Sequence, residues 1–290
     1  MPVISASQKC VGIVGATGVL GRYVIPRLLE RGHRVQALVR SKEDANRLSR
    51  CGVDVKPGDI LEPNTLIPVV KDCDVVLHLA TAIPKPGGAS DWSQNDRIRR
   101  EGTANLIDAC HAVGVKDYLQ QSIALLQAGY GEQWIDEDTP AQPNPITQSA
   151  ADMEAMVQES NLKWCILRGG AFYGPGTAYD QGWRELARGN QLHLPREGND
   201  YISLIHVTDM ANAVVHAVES PMSEEAVLCI TDNEPVTYAN LFEHIVAIEN
   251  APPPKKGGAS ILPSFRVSNS RIQKTLGWYP HYATYRSGLV

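Results

Sequence analysis

The chain has 290 residues, of which 43% are apolar and 20% charged, with a formal net charge of −5. That length suits one large domain or a large one with a smaller companion, and the composition is that of a soluble globular protein. The negative balance argues against nucleic acid and anionic membrane surfaces as partners, and no apolar run approaches the roughly 18 residues of a membrane span.

The first ten residues, MPVISASQKC, lack the basic start and apolar core of a signal peptide. From there KCVGIVG reads as a first strand, Val19 to Glu30 as a helix, and HRVQALV as a second strand. Lys42 to Arg50 is charged and helical; VDVKPGD and DVVLHLA are the third and fourth strands. Residues 84–92, PKPGGASDW, read as a loop able to act as a flap, and Arg97 to Val113 as one helix. DYLQQS is a fifth strand, Ala150 to Glu159 a helix whose first turn exposes Ile146, Thr147 and Ala150, and KWCILR a sixth strand. Strands alternating with helices, several of them apolar throughout, predict an α/β fold: a doubly wound parallel sheet covered on both faces.

Beyond Arg168 the rhythm changes. GGAFYGPGTAYDQG reads as a glycine-rich loop, Val207 to Glu219 as a helix with Asp209 in its first turn, and EAVLCIT as a late strand able to return to the sheet. APPPKKGGAS reads as an exposed connector. The expected organisation is a dinucleotide-binding domain over 1–170, rejoined by 206–231, and a smaller C-terminal substrate lobe from 171–205 and 232–290. The six cysteines (Cys10, Cys51, Cys73, Cys110, Cys165 and Cys229) are scattered and read as reduced core residues of a cytoplasmic protein. The eight histidines lack metal-ligand spacing, so no metal is expected, and His78 reads as a core or strand-end residue.

GIVGATGVLGRYV carries the first chemical signal. Gly15, Gly18 and Gly21 follow a strand and open a helix, where glycine lets a diphosphate approach the free N–H groups of the helix N-terminus. Gly15, Thr17, Gly18, Val19, Leu20 and Gly21 are the predicted cradle. At the end of the second strand, where a carboxylate would select NAD, stands Arg40, whose guanidinium suits a 2′-phosphate. NADP is therefore favoured over NAD, which stays possible. Asp59 and Ile60 after the third strand are placed near the adenine. Ala80, Thr81 and Ala82 after the fourth are small enough to let the cofactor approach closely.

These segments resemble the extended and atypical short-chain dehydrogenase/reductases, the group that includes nucleotide-sugar epimerases and dehydratases. GATGVLG, GDI, LHLA, EGTANLIDAC, RGGAFYGPG, IHVTDMANAV and LGWYP carry the likeness, in order, along the whole chain. The resemblance implies a Rossmann sheet carrying NAD(P), with a C-terminal lobe over the nicotinamide. It also implies a Tyr-x-x-x-Lys pair at the start of the helix after the fifth strand, which passes a proton to the substrate oxygen as hydride moves. Here Ile146 and Ala150 occupy those two positions, and Arg99 stands where the family has a supporting asparagine. Of the family's four catalytic positions Ser122 alone persists, able to line the cofactor and substrate pocket.

Arg99 either binds an anionic group of a substrate or pairs with Asp96. Tyr130, on the loop after the fifth strand, could face substrate. Tyr173 could too, although the family's tyrosine there packs structurally. Two functions follow. One is an atypical oxidoreductase or epimerase acting on a carbonyl or sugar-type small molecule through a non-standard proton donor. The other is an inactive NADP(H)-binding sensor or scaffold answering to a small effector. Relatives often pair through the helices after the fourth and fifth strands, so a homodimer is possible.

Overall fold

The computed structural model describes residues 8–84, 91–220, 225–260 and 262–290. The flap expected at 84–92 lies almost wholly outside them. Seven strands form one sheet: β1 (Cys10–Val14), β2 (Arg34–Val39), β3 (Asp54–Pro57), β4 (Val75–His78), β5 (Asp117–Ile123), β6 (Lys163–Gly169) and β7 (Ala226–Ile230). All pair in parallel, in the order β7-β6-β5-β4-β1-β2-β3. The late strand does return, as an edge beside β6. The order reverses direction between β1 and β4, and a parallel sheet of this kind takes ligands at the carboxyl ends of its strands at such a point.

Helices α1 (Val19–Glu30), α2 (Lys42–Arg50), α3 (Ile67–Val70), α4 (Ser93–Arg97), α5 (Thr103–Val113), α6 (Gln148–Gln158), α7 (Ala178–Arg188), α8 (Val207–Glu219) and α9 (Tyr238–Ile248) surround the sheet or build the second core. One sheet face packs Ile13, Val35 and Leu77 against Leu20, Val24 and Leu28 of α1 and Met210 and Val214 of α8. The other packs Val14, Val76, Tyr118 and Ile166 against Leu106 and Cys110 of α5 and Val157 of α6. Burial on both faces is why β1 and β4 are apolar throughout rather than alternating. A third cluster, with Tyr173, Trp183, Tyr238, Phe242 and Phe265, lies beyond the sheet and also draws in Ala124, Ala128 and Ile135.

Several readings of the sequence are corrected. The single helix expected over 97–113 is instead α4, a π-helical turn over Ile98–Gly102, and then α5. The supposed glycine-rich loop contains a strand, Ala171–Tyr173, paired in parallel with Leu204–His206, and the start of α7. Within the supposed connector, Lys255–Gly258 pairs in parallel with His193–Pro195. Five cysteines are buried but Cys51 is exposed, at the end of α2 where no core faces it.

Candidate active site at the strand ends

The glycine turn does what its spacing predicts. Gly15 has φ +95°, and a Cβ there would come within 2.5 Å of the Leu79–Ala80 peptide. A Cβ on Gly21 would strike the Gly15 carbonyl, so α1 could not lie this close to β1. Gly18 caps α1 in extended conformation, with neither a side-chain cap nor an acidic residue in the first turn. The first N–H groups, those of Val19, Leu20 and Gly21, therefore lack intrahelical partners and are matched to an anion. Thr17 borders the same turn, its carbonyl accepting from Arg22 Nε at 2.9 Å. This cradle fits the diphosphate of a dinucleotide in both shape and charge.

Arg40 and Asp59 meet at the far side of β1. Arg40 Nη1 lies 3.7 Å from Asp59 Oδ2, and the guanidinium is 72% exposed, free to reach a ligand. Asp59 Oδ1 accepts from Leu61 N at 3.0 Å, which fixes the carboxylate. Ile60 is buried against Gly102 and sets the spacing between that loop and the π-helical turn. On the near side, Ala80 is half-buried, Thr81 is exposed, and Ala82 N donates to Asn95 Oδ1 at 3.0 Å. Asn95, on α4, is wholly buried and pins the loop that follows β4.

The start of α6 differs in part from expectation. Ile146 is exposed, but Thr147 and Ala150 are completely buried, because the chain reaches the helix through a turn closed by Asn144. Thr147 Oγ1 accepts from Asn144 N at 2.9 Å, so its hydroxyl serves the turn. None of Ile146, Thr147 and Ala150 offers a group that ionises near neutral pH.

Ser122 is present at the end of β5, but its proton is already engaged. Its Oγ donates to Glu154 Oε1 at 2.5 Å. Glu154 is held in turn by Arg168, whose Nη2 and Nε donate at 2.6 and 3.0 Å. The arrangement follows from register and helical spacing. Ser122 and Arg168 are cross-strand neighbours in β5 and β6, and Glu154 lies one turn after Ala150 on the α6 face turned to them. All three side chains are buried. A carboxylate only accepts, so Ser122 is the donor in that bond and has only lone pairs left for a ligand.

Arg99 sits in the π-helical turn, 3% exposed, with Nη1 donating to Ser149 Oγ at 3.2 Å. The alternative of a pair with Asp96 is not realised: among the described residues no carboxylate forms an ion pair with Arg99. Burial lowers its pKa to about 10, which leaves it charged at neutral pH. His78, at the end of β4, is wholly buried, and burial pushes its pKa down to about 4, with the Arg99 charge acting in the same direction. A neutral imidazole and a serine hydroxyl thus lie by this guanidinium, with the Asp96 and Glu154 carboxylates acting on it from beyond ion-pair distance.

The two tyrosines differ. Tyr130 is half-buried, its hydroxyl donating to the Pro140 carbonyl at 3.0 Å. Tyr173 is wholly buried in the third cluster, with its ring edge-on to His206, and burial raises its pKa well beyond its ordinary value. That is a packing environment. Sequence reasoning missed Glu154, Arg168, Ser149 and Asn95. Only Glu154 left a signal, as a carboxylate four residues beyond Ala150 on one helical face.

A family model described as NAD(P)H-binding matches residues 15–221. The 3-diazoavenalumate denitrifying reductase of a Streptomyces species is 34% identical, over 96% of this chain and 98% of its own. The NAD(P)H azoreductase of Xenophilus azovorans is 26% identical, over 83% of this chain and 74% of its own. Among solved structures, the UDP-glucose 4-epimerase of Thermotoga maritima with UDP-glucose superposes with a TM-score of 0.83 at 19% identity, over 97% of this chain and 96% of that one. MoeE5 in complex with UDP-glucose and NAD gives 0.82 at 20% identity, with the same coverage. These two show the fold. No helix among the described residues is long and apolar enough to cross a membrane. The chain therefore belongs to the NAD(P)H-binding family, and the two relatives named above are reductases.

Proposed function

We propose that this protein is an NADPH-dependent reductase whose acceptor takes up hydride without needing a proton from the protein, with an aryl diazonium ion as the substrate class. The observation that carries this reading is the Ser122 hydroxyl turned to Glu154, beside a helix start that holds Ile146 and Ala150. The dihydronicotinamide of a coenzyme held by its diphosphate at the glycine turn would supply the hydride. A carbonyl that accepts hydride becomes an alkoxide and must be protonated, which Ser122 is badly placed to do. An aryl diazonium ion that accepts hydride at its terminal nitrogen becomes a neutral diazene. Loss of N₂ then leaves the arene, with no net proton gained or lost.

The name of the Streptomyces relative, a denitrifying reductase of a diazo compound, supports the same class. Arg40 supports NADP over NAD, since its exposed guanidinium meets a 2′-phosphate where a carboxylate would repel it. In this reading Gly15 to Gly21 hold the diphosphate, Asp59 and Ile60 flank the adenine, and Ala80 to Ala82 line the nicotinamide. In the same reading residues 171–205 and 232–290 close the cleft as the substrate lobe, and the free cysteines support a cytoplasmic location.

The test is a turnover assay with NADPH and a benzenediazonium salt. The reading expects one NADPH oxidised per arene formed, and a primary isotope effect when the transferred hydrogen of NADPH is deuterium. NADPH oxidation no faster than the uncatalysed background would overturn it.

A further inference from the structure

We propose that Arg99 is the counter-ion for a carboxylate carried by the substrate, so that this site selects anionic acceptors. The inference rests on the reductase reading above for the identity of the cleft, but it can be tested by binding alone.

A guanidinium has five N–H donors. Among the described residues the Ser149 hydroxyl is the one acceptor within hydrogen-bond distance of Arg99. The residue is nevertheless only 3% exposed. The other buried arginine of this region, Arg168, has its guanidinium filled by both oxygens of Glu154. Arg99 has no such partner among the described residues: Ser149 and His78 are neutral, the Asp96 carboxylate acts on it only from beyond ion-pair distance, and Glu154 is already engaged by Arg168. A buried cation left in this state is costly unless an anion completes it.

Placement points to the substrate as the source of that anion. The phosphates of a dinucleotide are served elsewhere, by the open N-terminus of α1 and by Arg40, both across β1 from this point. Arg99 lies on the β4–β5 side, bonded to α6 one residue before Ala150, where no phosphate is expected. The π-helical turn over Ile98–Gly102 is what turns its side chain towards α6, and such turns recur at functional sites. The neighbouring segments add apolar surface. Ile83 is 55% exposed and Ile146 43% exposed, a combination that suits an aromatic or otherwise apolar acid.

The experiment is calorimetric titration of the NADP⁺-saturated protein with benzoate and trans-cinnamate, each beside its methyl ester. The expected result is that at least one acid binds more than about tenfold tighter than its ester. Arg99→Gln should abolish that preference, weakening the acid by roughly 30-fold while leaving NADP⁺ affinity within about twofold. Arg99→Lys, which keeps the charge, should retain part of the preference and controls for a folding defect, as does the thermal melt of each variant. Equal binding of acid and ester, no binding of either acid, or a preference that survives Arg99→Gln would overturn the proposal. So would a Gln variant that loses NADP⁺ rather than the acid, since the coenzyme would then be the source of the partner. Failure of the reductase reading would look different: acid binding that depends on Arg99, with no oxidation of NADPH.

Discussion

At the scale of single residues, the site is defined by what each side chain has already spent. Ser122 donates its hydroxyl hydrogen bond to Glu154, Thr147 serves a turn, and Tyr173 is packed against His206. Arg40 is the contrasting case. It is mostly exposed, and its one charged neighbour, Asp59, is 3.7 Å away, so it is available to a coenzyme phosphate. Charge-assisted hydrogen bonds are worth about 1.5–3 kcal/mol, so Arg40→Ala should weaken NADPH by roughly 10- to 100-fold. NADH, which lacks the 2′-phosphate, should change by no more than about twofold, as read by fluorescence titration of both coenzymes. Equal losses for the two would mean that Arg40 does not meet the phosphate.

Among elements, α6 is the one whose role changed most between sequence and structure. It is anchored to the sheet by the buried Glu154–Arg168 pair, at 2.6 Å with both side chains under 10% exposed. Removing one partner leaves the other buried and uncompensated, so Arg168→Met should cost about 3–5 kcal/mol in urea denaturation. Adding Glu154→Gln to that variant should recover most of the loss, because the stranded charge is then gone. If the double variant were no more stable than the single, the pair would not be acting through charge.

The same element shows how far the sequence is legible. Strands β1 to β6 and helices α1, α2 and α8 were readable, because an apolar run between turn residues or a period of 3.6 depends on local pattern alone. Gly15 and Gly21 were readable because backbone sterics leave glycine no substitute there. The Ser122–Glu154–Arg168 contacts were not, since they join positions 32 and 14 residues apart through strand register. The burial of Thr147 and Ala150 depends on the Asn144 turn, and the π-helical turn at Arg99 adds a residue that no 3.6 period announces. The short strands Ala171–Tyr173 and Lys255–Gly258 were hidden because the glycines flanking the first, and the prolines before and glycines within the second, read as loop.

At the scale of the whole molecule, the proposed reductase joins a coenzyme held at the glycine turn to a cleft in which the Ser122 hydroxyl is already engaged and Ile146 and Ala150 offer no proton. Among the described residues that cleft holds the buried guanidinium of Arg99 and the buried Glu154 carboxylate, which is already paired with Arg168. Such a molecule is suited to moving hydride onto an acceptor that is electron-poor before it binds. The most direct measure of this is the single-turnover rate of NADPH oxidation by a benzenediazonium salt, followed from about pH 6 to 8 in the wild type and in Ser122→Ala. The account predicts a rate flat within about twofold across that range and little changed by the substitution. A rate that falls about tenfold per unit of rising pH, or that collapses in Ser122→Ala, would show that the protein supplies a proton after all, and would contradict it.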